Sequence, residues 1–563
     1  MQTSNITQWI TTITLYRQIA RFGAAAAGGY AATVTDVKES ADEAAEQNPD
    51  VPSRLNRALG GLRGALLLAL AGGLLLTAAF PPYGAWPLAP LGPAVLALAL
   101  RGRSLRASFV TGLVFGVAFF FPLLSWTLNV AWYAWVALAG ASTVILGVLA
   151  IGQRLLLDFK LWPLGVAGWW VAAEALRDRW PWGGFPWGRI AMSQAGAPTQ
   201  GWAAIGGAPL LTFVVALAGA FVAWIMAARG RGRIAAMLAF AAAIGVAVAP
   251  GAFTLDPVSA HGGSAEVAAI QGNVPRGRTL AAQLNDTMVT ANHAAATEKL
   301  AAAVKSGKAP RPDLVIWPEN STDLDPALWP PIFSELMTAT DDAGVPLLAG
   351  TVLQNPLRNA GQLWVPGRGP TQVYLKRQLV PFGEVIPFRS LLAKITPLTQ
   401  LQPMNFTPGH AEVVFRIGKG LRLGDVICYE VGFDNLVRSE VSAGASLLAV
   451  QTNDADFEHD GQTGETGQQL AMARVRAVEH DRAVVVASTT GYSAIVAPDG
   501  RLITRSGTWR QAILEARIPL ITHTTPADRV GPWPEYVIVI LTAAGFLGAV
   551  VATARKRRTS QAR

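Results

Sequence analysis

The sequence predicts a membrane α-helical bundle of about eight spans that carries an extracytoplasmic α/β domain. Three observations predict it. Hydrophobic residues make up 51% of the 563 and charged residues 15%, where soluble domains carry roughly 25% charge. Seven apolar runs crowd into residues 63–252, and an eighth lies near 535–554. Between them, residues 253–533 interleave β-type apolar runs with helical patterns, as a sheet-based soluble domain does.

The apolar runs cover 63–80, 84–100, 106–126, 131–152, 161–177, 206–228, 233–252 and 535–554. Several approach the ~20 residues that cross a bilayer; the second and fifth are short. Arg54, Arg57 and Arg63, then Arg101, Arg103 and Arg106, then Arg154 and Lys160, then Arg229, Arg231 and Arg233, then Arg555, Lys556, Arg557 and Arg558 punctuate the runs. All of these clusters fall on one side if all eight runs cross. Cationic loops stay cytoplasmic, so both termini are expected in the cytoplasm and 253–533 outside. The net charge of +9 is thus accounted for by membrane topology, without nucleic acid. Residues 1–57, acidic and alanine-rich after Asp36, read as an N-terminal extension expected to be disordered. The other divisions expected are a seven-span membrane domain (58–252), a catalytic domain (253–533), an eighth span (534–555) and a basic cytoplasmic tail (556–563).

One outward connection, Trp180-Pro-Trp-Gly-Gly-Phe-Pro-Trp187, is rich in aromatic residues. Tryptophans favour the headgroup zone, and Trp182, Phe185 and Trp187 are expected to form a lipid-facing lip. Glu174 and Arg177 lie one turn apart just before it, a spacing that allows pairing.

In the outer segment, apolar strand-like runs at 267–273, 314–319, 345–351, 423–428, 446–452, 483–488 and 493–497 alternate with helical patterns at 280–305, 433–443 and 465–480. Three polar residues stand where such runs or aromatic turns give out: Glu319, Lys376 and Cys428. A lone cysteine is ordinarily a small buried hydrophobe. With a carboxylate to take its proton and an ammonium to stabilise an oxyanion, it becomes an acyl-transfer nucleophile that needs no histidine. The six histidines show no metal-ligand spacing, so neither metal nor cofactor is expected, and one cysteine allows no internal disulfide.

Ile316-Trp-Pro-Glu319, Tyr374-Leu-Lys-Arg-Gln-Leu-Val-Pro-Phe-Gly-Glu384 and Val426-Ile-Cys-Tyr-Glu430 resemble the three catalytic blocks of the nitrilase superfamily. Joined to seven preceding runs and one following, they resemble the apolipoprotein N-acyltransferase family of bacterial inner membranes, over roughly residues 60–555. The resemblance implies a nitrilase-like αββα sandwich, Glu319 as general base, Lys376 as oxyanion and thiolate stabiliser, and Cys428 as nucleophile. Glu384 and Glu430 match supporting carboxylates, and Tyr429 supplies a backbone N–H to the oxyanion hole. Asn453-Asp454 match a turn near the site, although Asp456 and Glu458 replace the usual tryptophan and glycine. Trp317 and Phe382 are expected to pack rather than touch substrate. Gly183-Gly-Phe-Pro-Trp187 fits a membrane-domain block of the family.

The activity implied is ping-pong acyl transfer. A membrane phospholipid acylates Cys428, and the α-amine of a diacylglyceryl-cysteine lipoprotein takes the acyl chain from the thioester. Residues 385–408 are the expected lid, and a monomer is expected. A membrane-anchored nitrilase-type amidase with water as acceptor, and a catalytically silent scaffold that docks a partner, are the competing readings.

Overall fold

The computed structural model describes residues 61–228, 230–253, 263–274, 286–322, 324–394, 396, 399–400, 404–418, 420–459 and 461–561. The chain divides into two units, 1–64 and 65–563, and the second carries everything below except the start of the first helix, Leu62 to Gly64. The extension expected over 1–57 lies outside the described residues.

Each apolar run folds as a helix: Leu62–Ala79, Leu91–Leu100, Leu105–Leu123, Trp132–Leu156, Trp162–Arg177, Trp202–Ala227, Arg231–Phe253 and Trp533–Gln561. Small residues let two of them approach closely. A Cβ on Gly112 would sit 2.5 Å from the Ala150 side chain, and one on Gly116 would sit 3.0 Å from Thr143, so Gly112-x-x-x-Gly116 receives the opposing helix directly. Among the described residues, five helices are long and apolar enough to cross a membrane by length and composition alone, with shorter apolar helices at Trp86–Leu100 and Gly232–Ala242. The fifth run is a 16-residue helix that carries Glu174 and Arg177 in its last turn. Span count and sidedness therefore rest on the charge pattern rather than on helix length.

Residues 264–519 form a four-layer sandwich. One six-stranded sheet has the order β12-β1-β2-β3-β4-β5 and the other β11-β10-β9-β8-β7-β6. Their strands are β1 (Ser264–Gln271), β2 (Leu314–Ile316), β3 (Leu347–Leu353), β4 (Arg358–Val365), β5 (Gly369–Leu375), β6 (Val414–Gly418), β7 (Leu421–Ile427), β8 (Leu447–Thr452), β9 (Val484–Ser488), β10 (Ala494–Val496), β11 (Leu502–Arg505) and β12 (Ala512–Pro519). In each sheet the central strands run parallel (β1-β2-β3 and β7-β8-β9) and the outer ones antiparallel.

Side chains alternate between the layers as the strand period of two requires. Val267, Ala269, Leu447, Ala449, Val485 and Ala487 meet between the sheets. Ala268 and Ile270 face helices Asp286–Lys305 and Pro330–Ala343 instead. On the opposite face Leu448, Val450, Val484 and Val486 share one core with helix Gly464–His480 and with the membrane helices, through Leu211, Ile190 and Trp187. The αββα sandwich is thus packed directly onto the helical bundle. The helices expected at 433–443 and 465–480 occupy Asp434–Ser442 and Gly464–His480. The one expected at 280–305 is described over Asp286–Lys305.

Candidate active site

Four strand ends bring the chemistry together. Glu319 lies three residues past β2, Lys376 directly follows β5, Cys428 directly follows β7 and Asn453 directly follows β8. The carboxyl ends of parallel strands are where open α/β sheets assemble sites. Here β2 lies in one sheet and β7 and β8 in the other, so the groups meet across the sandwich.

Lys376 Nζ is 2.8 Å from Glu319 Oε1 and 2.9 Å from Glu384 Oε1. Asn359 Nδ2 donates to both carboxylates, at 2.6 and 3.0 Å. The second oxygen of Glu319 accepts the Asn453 backbone N–H at 3.0 Å. That of Glu384 accepts the Val380 N–H at 2.8 Å. Cys428 is 7% exposed, its sulfur accepts from Gln469 Nε2 at 3.5 Å, and it interacts electrostatically with Glu319, Lys376 and Glu465. Its φ of +52° places a non-glycine residue in the left-handed region, which costs of order 1–3 kcal/mol and persists where the surroundings enforce it.

Glu430 enforces it. Its Oε2 accepts the Ile427 N–H and the Tyr374 hydroxyl, both at 2.8 Å. Its Oε1 accepts the Arg377 and Gln378 N–H groups at 2.6 and 3.0 Å. One fully buried carboxylate therefore ties the turn that begins at Cys428 to the strand end that carries Lys376. It is a clamp, with all four acceptances spent on the scaffold.

The charges follow from burial. Burial pushes the Glu319 carboxyl up, Lys376 pulls it back, and Glu384 pushes it further up. Burial opposes charge on Lys376, yet Glu319 and Glu384 together hold its ammonium well above the usual lysine value. Burial and then the Glu319 charge push the Cys428 thiol well above its usual value, against the pull of Lys376. The sulfur is consequently held as a thiol at rest, and it must give up its proton before it can act as a nucleophile.

The remaining expected residues divide. Tyr429 donates its hydroxyl to the Gly184 carbonyl at 2.7 Å and stacks on Trp187 at 5.5 Å. Phe185 stacks on both, 5.5 Å from Trp187 and 6.3 Å from Tyr429. Trp187, expected at a lipid-facing lip, is instead 3% exposed. It points inward because Tyr429, Phe185 and Trp126 offer ring faces that lipid does not. Trp182 remains exposed and meets exposed Phe382 edge-on at 5.3 Å, joining the aromatic turn to the lysine block. Phe382 is therefore a surface residue rather than a packing one. Trp317 is fully buried, donating to Thr297 Oγ1 at 2.9 Å. Asp454 accepts from the Thr452 and Ser488 hydroxyls at 3.0 and 2.7 Å and holds the turn after β8.

Asn359 and Gln469 escaped the sequence reading, since a lone amide in Arg-Asn-Ala-Gly or on a helix carries no signature. So did Glu465, buried near the sulfur. Its neighbour Glu458 gives a prediction. Burial, with Asp454 adding, pushes the Glu458 carboxyl up to about 8. Between its unfolded value near 4.5 and 8, the folded chain holds a proton that the unfolded chain releases. Stability therefore falls as pH rises through this window. Glu458→Gln is expected to lessen that fall, by about 3 °C in the melting-temperature difference between pH 5.5 and 8. Equal slopes for the two proteins would refute it.

Residues 72–221 match the family described as apolipoprotein N-acyltransferase N-terminal domain, and residues 266–525 match carbon-nitrogen hydrolase. A relative named apolipoprotein N-acyltransferase from Mycolicibacterium smegmatis is 37% identical over 517 residues, 87% of this chain and 86% of the relative. One of the same name from Azotobacter vinelandii is 30% identical over 505 residues, 84% and 93%. Among solved structures, an amidase from Nesterenkonia sp. is 18% identical with a TM-score of 0.36, covering 50% of this chain and 97% of that one. With identity of this extent across both halves, the chain belongs to the apolipoprotein N-acyltransferase family.

Proposed function

We propose that this bacterial membrane protein moves an acyl chain from a membrane phospholipid, through a thioester on Cys428, to the α-amine of a diacylglyceryl-cysteine lipoprotein. The observation that carries the reading is the buried Glu319–Lys376 pair at 2.8 Å, set beside a thiol on a strained turn. Cys428 Sγ attacks the ester carbonyl while its proton passes to Glu319. Lys376 and the Tyr429 N–H hold the oxyanion. The C–O bond then breaks and Glu319 returns the proton to the glycerol oxygen of the departing lysophospholipid. In the second half, the neutral α-amine attacks the thioester and loses its proton to Glu319. The C–S bond breaks and the thiol is restored. Glu384 and Asn359 keep the lysine and the base in register throughout.

The sandwich rests on apolar helices, as substrates that never leave the bilayer require, and tethering both reactants raises their effective concentration. The charge pattern supports eight spans, cytoplasmic termini and an extracytoplasmic 253–533 in a bacterial inner membrane, with the domain limits given above. Phe388, Leu391 and Met404 are exposed, an apolar surface that suits 385–408 to cover the cleft when lipid enters and to exclude water. Trp182 and Phe382 flank that approach. A monomer suffices, because every proposed catalytic group comes from one chain.

Intact mass spectrometry of the purified protein after incubation with a defined phospholipid tests the reading. One acyl adduct on Cys428, lost on adding a diacylglyceryl peptide as that peptide gains an amide-linked chain, is the expected result. An adduct discharged only by water would make it an amidase, and no adduct under any condition would make it a scaffold.

A further inference from the structure

The interior of the sandwich holds a carboxyl group that the chemistry at Cys428 leaves unused. Strand β7 turns Leu423, Asp425 and Ile427 toward the other sheet, and β8 turns Leu447, Ala449 and Gln451 the same way, as the strand period of two requires. The four apolar residues of that set belong to the core between the sheets. Asp425 and Gln451 are fully buried among them. Gln451 pairs in register with Ile427, two residues along from Asp425. A charged acid in such a layer needs partners.

Asp425 lacks them. Both of its oxygens, and Oε1 of Gln451, are buried without a well-formed hydrogen bond among the described residues; the Val426 N–H of the same strand is the donor that leans toward the carboxyl. A Cβ on Gly361, which faces the pair from β4, would stand 2.1 Å from Asp425 Oδ2 and 2.9 Å from Gln451 Oε1. The two oxygens therefore share one small space above a glycine. The amide of Gln451 cannot turn over to serve Asp425, because its Nε2 donates to the Trp317 carbonyl at 2.5 Å and a flip would set oxygen against oxygen there. An ionised Asp425 would thus put one acceptor against another in apolar surroundings, where a carboxyl neutralises instead. The charged groups around it press the same way. Burial first, then Glu430, Glu440 and Glu319, push its carboxyl well above the ordinary aspartate value, against a small pull from the Val426 N–H.

We propose that Asp425 is a neutral carboxylic acid whose O–H donates to Gln451 Oε1, pinning β7, β8 and β2 together at the spacing that sets Glu319 against Cys428. It is a positioning residue, three residues before Cys428 and out of reach of substrate. Each strand that the pin joins leads to one member of the site. Trp317, whose carbonyl takes the Gln451 amide, stands two residues before Glu319. Gln451 stands two residues before Asn453, whose N–H holds the second oxygen of Glu319 at 3.0 Å. One proton thus completes a run of polar groups, Asp425 to Gln451 to Trp317, through an otherwise apolar layer. A buried polar network that is fully satisfied fixes one arrangement of its strands, and one left short of a donor does not.

The test uses the full chain in a mild detergent at neutral pH. An infrared difference spectrum, wild type minus Asp425→Asn, is expected to show the C=O stretch of one carboxylic acid, shifted by exchange into deuterium oxide. The bands of an ionised carboxylate in its place would overturn the inference. Single-turnover thioester formation from a defined phospholipid supplies the second measurement. Asp425→Asn keeps a donor toward Gln451 and is expected to react within about threefold of wild type. Asp425→Leu keeps the branched shape without the donor, and its rate is expected to fall about tenfold through misplacement of the base. The phospholipid concentration at half-saturation should stay unchanged, since lipid never meets this residue. A wild-type rate in Asp425→Leu, or an equal loss in the asparagine and leucine variants, would overturn the positioning role. If Asp425→Leu does not fold, Asp425→Asn carries the test through its spectrum and its retained rate. The kinetic measurement rests on the acyl-transfer reading and the infrared one does not. A wild-type protein that forms no thioester would fault that reading, while the acid band would still decide this one.

Discussion

Replacing Cys428 with alanine is expected to leave a folded protein whose acyl transfer falls at least about 10⁴-fold, the scale seen when a covalent nucleophile is removed. The sulfur is the one atom at this turn able to carry the acyl group. Its neighbours Gln469, Glu319 and Lys376 are donors, acids and cations suited to assisting it. Alanine keeps the left-handed backbone that Glu430 enforces, so the loss should appear in chemistry and not in yield. Transfer of a labelled acyl chain to a diacylglyceryl peptide, with intact mass for the missing adduct, measures it. An alanine variant that kept a hundredth of the activity would place the nucleophile elsewhere.

Glu319→Gln carries the second large effect, about 10²- to 10⁴-fold on thioester formation. Glutamine can still accept from Asn359 and can still neighbour Lys376, so the geometry is largely kept while the proton acceptor is lost. The sign of the pH response follows from the folded site. Burial raises the Glu319 carboxyl and Glu384 raises it further, so the base form, and with it the rate, is lost as pH falls, from a point above the ordinary glutamate value of 4.5. In Glu319→Gln that acid limb should vanish along with most of the rate. Single-turnover adduct formation between pH 5 and 9 reads both. Persistence of the same limb in the variant would assign it to another group.

The sequence was informative where apolar strands end in reactive residues. Leu423, Val426 and Ile427 run into Cys428, and Leu314 to Ile316 run toward Glu319, so strand and chemistry could be read together. Strands β4 and β5 could not. Arg358–Val365 and Gly369–Leu375 scatter Asn, Gly, Gln, Pro and Thr among their apolar residues, and their burial is fixed by neighbouring strands that no local pattern records. Nor does any residue type announce a left-handed cysteine. By resemblance Glu430 reads as a supporting carboxylate, and its four bonds to the scaffold exist only once β5 and β7 face each other. The aromatic turn misled for a related reason: composition puts tryptophans near lipid, but the direction in which Trp187 points is decided by the rings already stacked beneath it.

The shared core of sandwich and bundle has a consequence for movement. Because Trp187, Ile190 and Leu211 interlock with Val450 and Val486 in one apolar interior, any rocking of the sandwich against the helices would have to open that interior and lose its packing. A sandwich cut away from the helices would carry its raw, water-shy underside into solution.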